Sequence, residues 1–82
     1  MAGVQAIGTA EEALLKGDVG TIGYLAFRNL DATNYVELGS TTAVYSIKVP
    51  AGKGLVVPWD HTNVYAKANT ASCDCDYLLI EL

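Results

Sequence analysis

Polar and apolar residues alternate along most of this chain, the period-two pattern of strands that bury one face. The alternation is cleanest at Tyr24–Asn29, where Leu25 and Phe27 face one way and Tyr24, Ala26 and Arg28 the other. After the four-residue loop Leu30–Thr33 it resumes, with Val36 and Leu38 on one face and Tyr35 and Glu37 on the other. Setting Asn29 opposite Asn34 predicts a hairpin. Phe27 then meets Val36, Leu25 meets Leu38, and Arg28 meets Tyr35 with Glu37 diagonal to it. Both apolar pairs share one side in this register, and Arg28, Tyr35 and Glu37 form a polar contact patch on the other.

The later chain continues in the same way. Ala43–Val49 sets Tyr45, Ile47 and Val49 against Val44, Ser46 and Lys48, and Pro50-Ala51-Gly52 turns it. Leu55–Val57 predicts a short apolar strand that Pro58 either ends or confines to an edge. Trp59–Thr62 reads as a turn, Asn63–Ala68 as a strand, Asn69–Ser72 as a turn and Cys73–Leu82 as the last strand. Tyr77-Leu78-Leu79-Ile80 is apolar on both faces, which predicts cover on both sides, from a central place in a sheet or from a subunit contact. Thr9-Ala10-Glu11-Glu12 has the form of a helix capping box, but so short a helix needs tertiary support, and an extended Ala13–Leu15 is the preferred reading.

About six strands at intervals of about 8–12 residues predict an all-β fold, a small antiparallel β-sandwich or jelly-roll-like barrel. Residues 1–10 read as an arm or edge strand, and 11–82 as one domain. Asp-x-Thr-Asn occurs at Asp31–Asn34 and again at Asp60–Asn63. These side chains bond their own backbone in turns, so one turn chemistry used twice is expected, rather than two loops on one functional surface.

Composition sharpens this picture. A chain of 82 residues buries only a modest core, yet 51% of it is hydrophobic and only 17% charged. That leaves more apolar surface than the interior can hide, and partner subunits are the simplest cover. Five tyrosines and one tryptophan suit interfaces, although strands favour the same rings on their own account. The net charge is −4, and Lys16, Arg28, Lys48, Lys53 and Lys67 stand singly, so no basic patch is available for nucleic acid. No uncharged run approaches the ~20 residues of a membrane helix. The amino terminus lacks a signal peptide's basic start and apolar core, so a soluble protein made in a cytoplasm is expected.

Candidate chemistry is sparse. Cys73 and Cys75 project to one face of the last strand, with Asp74 and Asp76 on the other. Zinc would need two further soft ligands, and only His61 is available. A disulfide between residues two apart is strained, so two buried thiols are expected, with an intermolecular disulfide as the alternative. His61 has no neighbouring nucleophile with an orienting acid. Asp74 and Asp76 lack a calcium-loop pattern, and Gly52-Lys53-Gly54 is too short for a phosphate loop. The expectation is therefore a contact protein, with no enzymatic activity, cofactor or metal.

The text Gly-Tyr-(x)4-Asn-Leu-Asp-Ala-Thr-Asn-Tyr-Val-Glu-Leu-Gly at Gly23–Gly39 resembles small β-rich structural proteins of tailed-bacteriophage virions. Ile47–Gly52, Val64–Ala71 and Tyr77–Glu81 are similar to that family's later strands and turns, so the resemblance covers roughly Gly23 to Leu82. It implies a virion component made in the bacterial host cytoplasm. That component would be a capsid decoration (cement) subunit or a head–tail accessory, bound to the major capsid protein or other virion proteins. A homo-oligomer is expected, with a trimer favoured. Cys73-Asp74-Cys75 departs from the family pattern and leaves a cross-link open. The Met1–Ala10 arm and the Cys73–Leu82 strand are the expected contact surface, and the candidate interface residues are Arg28, Tyr35, Glu37, Trp59, Tyr65, Cys73, Cys75 and Tyr77. The alternative role is a carbohydrate- or ligand-binding module using Trp59 and the Asp60–Asn63 loop.

Overall fold

A computed structural model describes residues 1–82, which form eight strands and no helix. The strands are β1 (Ala2–Ile7), β2 (Glu12–Ala13), β3 (Ile22–Asn29), β4 (Val36–Gly39), β5 (Ile47–Val49), β6 (Gly54–His61), β7 (Tyr65–Ala68) and β8 (Cys73–Glu81). They make two antiparallel four-stranded sheets, β1-β8-β3-β6 and β2-β7-β4-β5. The first strand pairs with the last, β2 with β7, β3 with β6, and β4 with β5. This is one long hairpin folded about the β4–β5 turn and then rolled into a sandwich, the jelly-roll arrangement. At the centre of the roll, Gly39 is required: a Cβ there would lie 1.8 Å from the Val44 carbonyl oxygen. Ala43 completes this turn with a φ of 62°.

Alternation places one side chain in two between the sheets. Leu25 and Phe27 from β3 and Cys73, Cys75, Tyr77 and Leu79 from β8 meet Val36 and Leu38 from β4 and Ala66 and Ala68 from β7. In β3 and β4 the inward side chains are those the alternation predicts. Ala13 is extended, in β2, and β8 is central in its sheet.

The hairpin predicted within residues 23–39 is not formed. β3 pairs with β6 and β8, whereas β4 pairs with β5 and β7 in the opposite sheet. Phe27 and Val36 are both buried, but on opposite walls of the core. Residues 30–35 form an arch between the sheets, held by Asn29, the one fully buried polar residue. Its Nδ2 donates to the carbonyls of Asn34 (2.9 Å) and Val49 (3.2 Å), and its Oδ1 accepts from the Asp31 N–H (3.0 Å). Asn29 thus does reach Asn34, through its side chain at the foot of the arch. Asp31 Oδ2 accepts from the N–H groups of Asn34 and Thr33, which holds its carboxyl below the usual range.

The second Asp-x-Thr-Asn does not repeat this turn. Asp60 and His61 belong to β6, Asp60 with a φ of 54°, so the turn expected at Trp59–Thr62 starts later. β6 also runs straight through Pro58, because it is an edge strand. Since β3 and β6 are antiparallel and both lead into the second sheet, the two motifs lie at opposite ends of the sandwich.

Candidate interaction surface

The outer face of the first sheet follows from its registers. Ala2, Leu78, Ala26 and Val56 form one row across all four strands. Ile80, Tyr24 and Pro58 form the row on one side, and Val4, Asp76, Arg28 and Gly54 the row on the other. Val4 and Val56 are 73% and 76% exposed, and Tyr24, Leu78 and Ile80 are about half exposed. Beside them lies an open concavity of about 630 Å³ walled mainly by apolar residues, Ala2, Val4, Ala26, Leu55 and Leu78 among them. Its charged element is a two-pronged ion pair, Arg28 Nη2 to Asp76 Oδ2 at 2.6 Å and Nε to Oδ1 at 3.1 Å. That pairing lowers the Asp76 carboxyl and raises the Arg28 guanidinium from their ordinary values.

The outer face of the second sheet is chemically different. Its register lines up Lys67, Glu37 and Lys48. The lysines also lie over aromatic rings, Lys48 Nζ 4.2 Å from the Tyr35 centroid and Lys67 Nζ 5.2 Å from that of Tyr45. Tyr45 donates its hydroxyl hydrogen to Glu11, whose carboxylate also accepts from the Ala43 N–H at 2.6 Å. The phenol is pushed up to about 12 by that bond, and the Glu11 carboxyl is lowered by the same partner.

The candidate interface residues are divided three ways. Arg28 lies on the first outer face, and Glu37 and Tyr65 lie on the second with Tyr35 beside them. The proposed patch of Arg28, Tyr35 and Glu37 therefore does not exist, because Arg28 belongs to one sheet and Glu37 to the other. Trp59, Cys73, Cys75 and Tyr77 turn inward, which corrects their placement at an interface. Trp59 donates its indole N–H to the Asn63 carbonyl at 2.8 Å and packs edge-on to His61, so its face is not an exposed platform for a sugar. Tyr77 lies against Gly3, where a Cβ would come within 2.9 Å of the ring, and donates to the Leu15 carbonyl at 2.7 Å. Both thiols are free and buried, and burial raises them, Cys75 to about 12. A thiol held protonated inside a core is a poor cross-linker.

Of the exposed apolar residues, Val4 lies in the amino-terminal arm and Leu78 and Ile80 in the last strand, the two segments expected as contact surface, whereas Tyr24 and Val56 were not singled out. The two-faced apolar run Tyr77–Ile80 and the unbroken triplet Leu55–Val57 carried the signal for three of them. A strand apolar on both sides has one side the core does not need. The assembled face offers area and shape for contact, with one ion pair to set orientation. Comparison of the chain with protein-family models, curated proteins and solved structures returned no match.

Proposed function

We propose that this chain is a non-enzymatic structural subunit of a phage virion, a capsid decoration protein that seats the outer face of its first sheet on neighbouring shell proteins. The observation that carries the contact reading is the run of exposed Val4, Leu78, Ile80, Tyr24 and Val56 across all four strands of one sheet. Contiguous apolar surface of this kind marks interaction sites. Fully covering one such aliphatic side chain contributes about 1.5–3 kcal/mol before the costs of association. Repetition over a shell multiplies a modest contact. The virion setting comes from the resemblance at Gly23–Gly39. The jelly roll does not choose it, since capsid, lectin and cupin domains share that fold.

Co-sedimentation with phage shells tests the proposal. The unaltered chain is expected to pellet with shells, and the double variant Val56→Glu/Ile80→Glu to remain in the supernatant with an unchanged melting temperature. A chain that does not pellet, or a double variant that binds as well as the original, removes the reading.

A further inference from the structure

Each sheet of a sandwich has two edges, and natural proteins block edges that would otherwise pair with another chain. Three of the four edges here are blocked or short. β2 and β5 have two and three residues. In β6, Asn29 N–H donates to the Lys53 carbonyl, and the alternation that follows turns the backbone of Gly54, Val56 and Pro58 outward, as far as the register shift beyond Pro58. Pro58 has no N–H to offer there, and Asp60 breaks the extended geometry with its positive φ.

β1 is different. Met1 and Leu79 exchange both of their bonds, Leu79 N–H to the Met1 carbonyl at 2.8 Å and the Met1 ammonium to the Leu79 carbonyl at 2.6 Å. This fixes the ladder phase: Gly3, Gln5 and Ile7 bond to β8, and the N–H and C=O groups of Ala2, Val4 and Ala6 point away from the sheet. No side chain or loop takes up those groups. The strand contains no charge and no proline, and the first charged side chain along the chain is Glu11.

We infer that β1 is a self-pairing edge: a second copy of this chain adds its own β1 in antiparallel fashion, across a two-fold axis at Val4. The geometry selects this occupant. With Val4 opposite the partner's Val4, Ala2 falls opposite the partner's Ala6, so all three residues with free backbone groups meet their like. Every side chain then stays on its own face of a continuous eight-stranded sheet. Pairing of β1 with a partner's β6, which would build a ring or filament, fails at Pro58 and Asp60. Two chains of net charge −4 repel, and β1 is the long edge along which that repulsion is least. The pairing also merges two apolar outer faces, because Ala2 and Val4 already belong to that face. A six-residue strand pair buries less than the roughly 1,200 Å² of a stable interface, so the dimer is reversible.

Sedimentation equilibrium up to about 1 mM, where weak association is visible, is expected to show a mass rising towards twice the 8.7 kDa of one chain. Val4→Pro costs no bond to β8 and removes the central donor, so it should leave a folded monomer. Val4→Cys tests the register independently. Hydrogen-bonded antiparallel partners have Cα atoms about 5.5 Å apart, within disulfide range, so mild oxidation should give a covalent dimer. Ala6→Cys should not, because its like residue is displaced along the strand. A chain monomeric throughout, a Val4→Pro chain that still dimerises, or cross-linking of Ala6→Cys in preference to Val4→Cys overturns the proposal. It does not depend on shell binding: in Val56→Glu/Ile80→Glu the β1 dimer is expected to persist even when shells are no longer bound.

Discussion

On the outside of β4, β5 and β7, each lysine has a tyrosine ring beneath it and a glutamate across the ladder. On the outside of β8, β3 and β6, the Arg28–Asp76 ion pair and Asp74 stand towards one end of a surface of valine, leucine, isoleucine and tyrosine. The inner faces of the same strands do not differ in this way. Both line one core with fully buried aliphatic residues, Leu25 and Leu79 on one wall, Val36 and Leu38 on the other. The interior therefore does not cause the contrast. A sheet folds when its inner face is covered, which leaves the outer face free to be tuned for water or for a partner. Here one outer face is charged and the other mainly apolar, and in the function proposed above the apolar one meets the partner.

The largest expected effects probe the shared interior. Leu25→Ala and Leu38→Ala should each cost about 2–5 kcal/mol in urea unfolding, since each leaves a cavity in the same core. A cost below ~1 kcal/mol on one side only would show that the walls are not equivalent and would undo the comparison. The second test exchanges the outer chemistries. Lys48→Leu with Lys67→Leu should change stability by only about 0.5 kcal/mol each, as surface changes do. It should nevertheless give the second sheet its own adhesive face, seen as concentration-dependent light scattering absent from the parent. Unchanged scattering would mean that exposed apolar area is not what makes a face adhesive here.

The smallest effect is in the pH profile, and it sharpens the contrast at alkaline pH. The Tyr45 phenol is raised to about 12, so its contribution is full below the ordinary phenol value of about 10 and is lost as pH climbs through about 12. On the acid side both faces respond alike. Glu11 and Asp76 are lowered, so each contributes above the ordinary carboxylate range and loses that contribution as pH falls through its lowered value. Tyr45→Phe should therefore remove one late-ionising phenol from an ultraviolet titration, while the buried Tyr77, which desolvation also raises, remains. An unchanged titration would detach Tyr45 from Glu11.

The sequence made the faces legible and the partners illegible, for a physical reason. Alternation tells which side of a strand is apolar. Leu25, Phe27, Val36 and Leu38 were assigned inward on that basis and lie inward. But two apolar faces are satisfied equally by standing side by side in one sheet or by facing each other across a core. For β3 and β4 the second holds, and Asn29, whose buried amide bonds the arch rather than a ladder, decides it. Cys73, Cys75, Tyr77 and Trp59 suggested function by residue type, yet the phase of their strands turns all four inward. Leu78 and Ile80 were legible as unusual. That their outer cover is missing from the chain itself emerged only when β8 was placed between β1 and β3.

The nested pairing of the roll has a consequence in time. Only β4 and β5 are neighbours both along the chain and in a sheet, so they are the one pair that can form early and locally. Each further pair closes a longer loop, and the last, sealed between Met1 and Leu79, joins residues 78 positions apart. Topologies so dominated by distant contacts fold slowly, on millisecond-to-second scales. Throughout that interval β1 has neither of its two long edges occupied. The strand with one free edge in the finished molecule has two in the unfinished one. Refolding at high concentration is therefore the condition under which chains are most exposed to exchanging first strands.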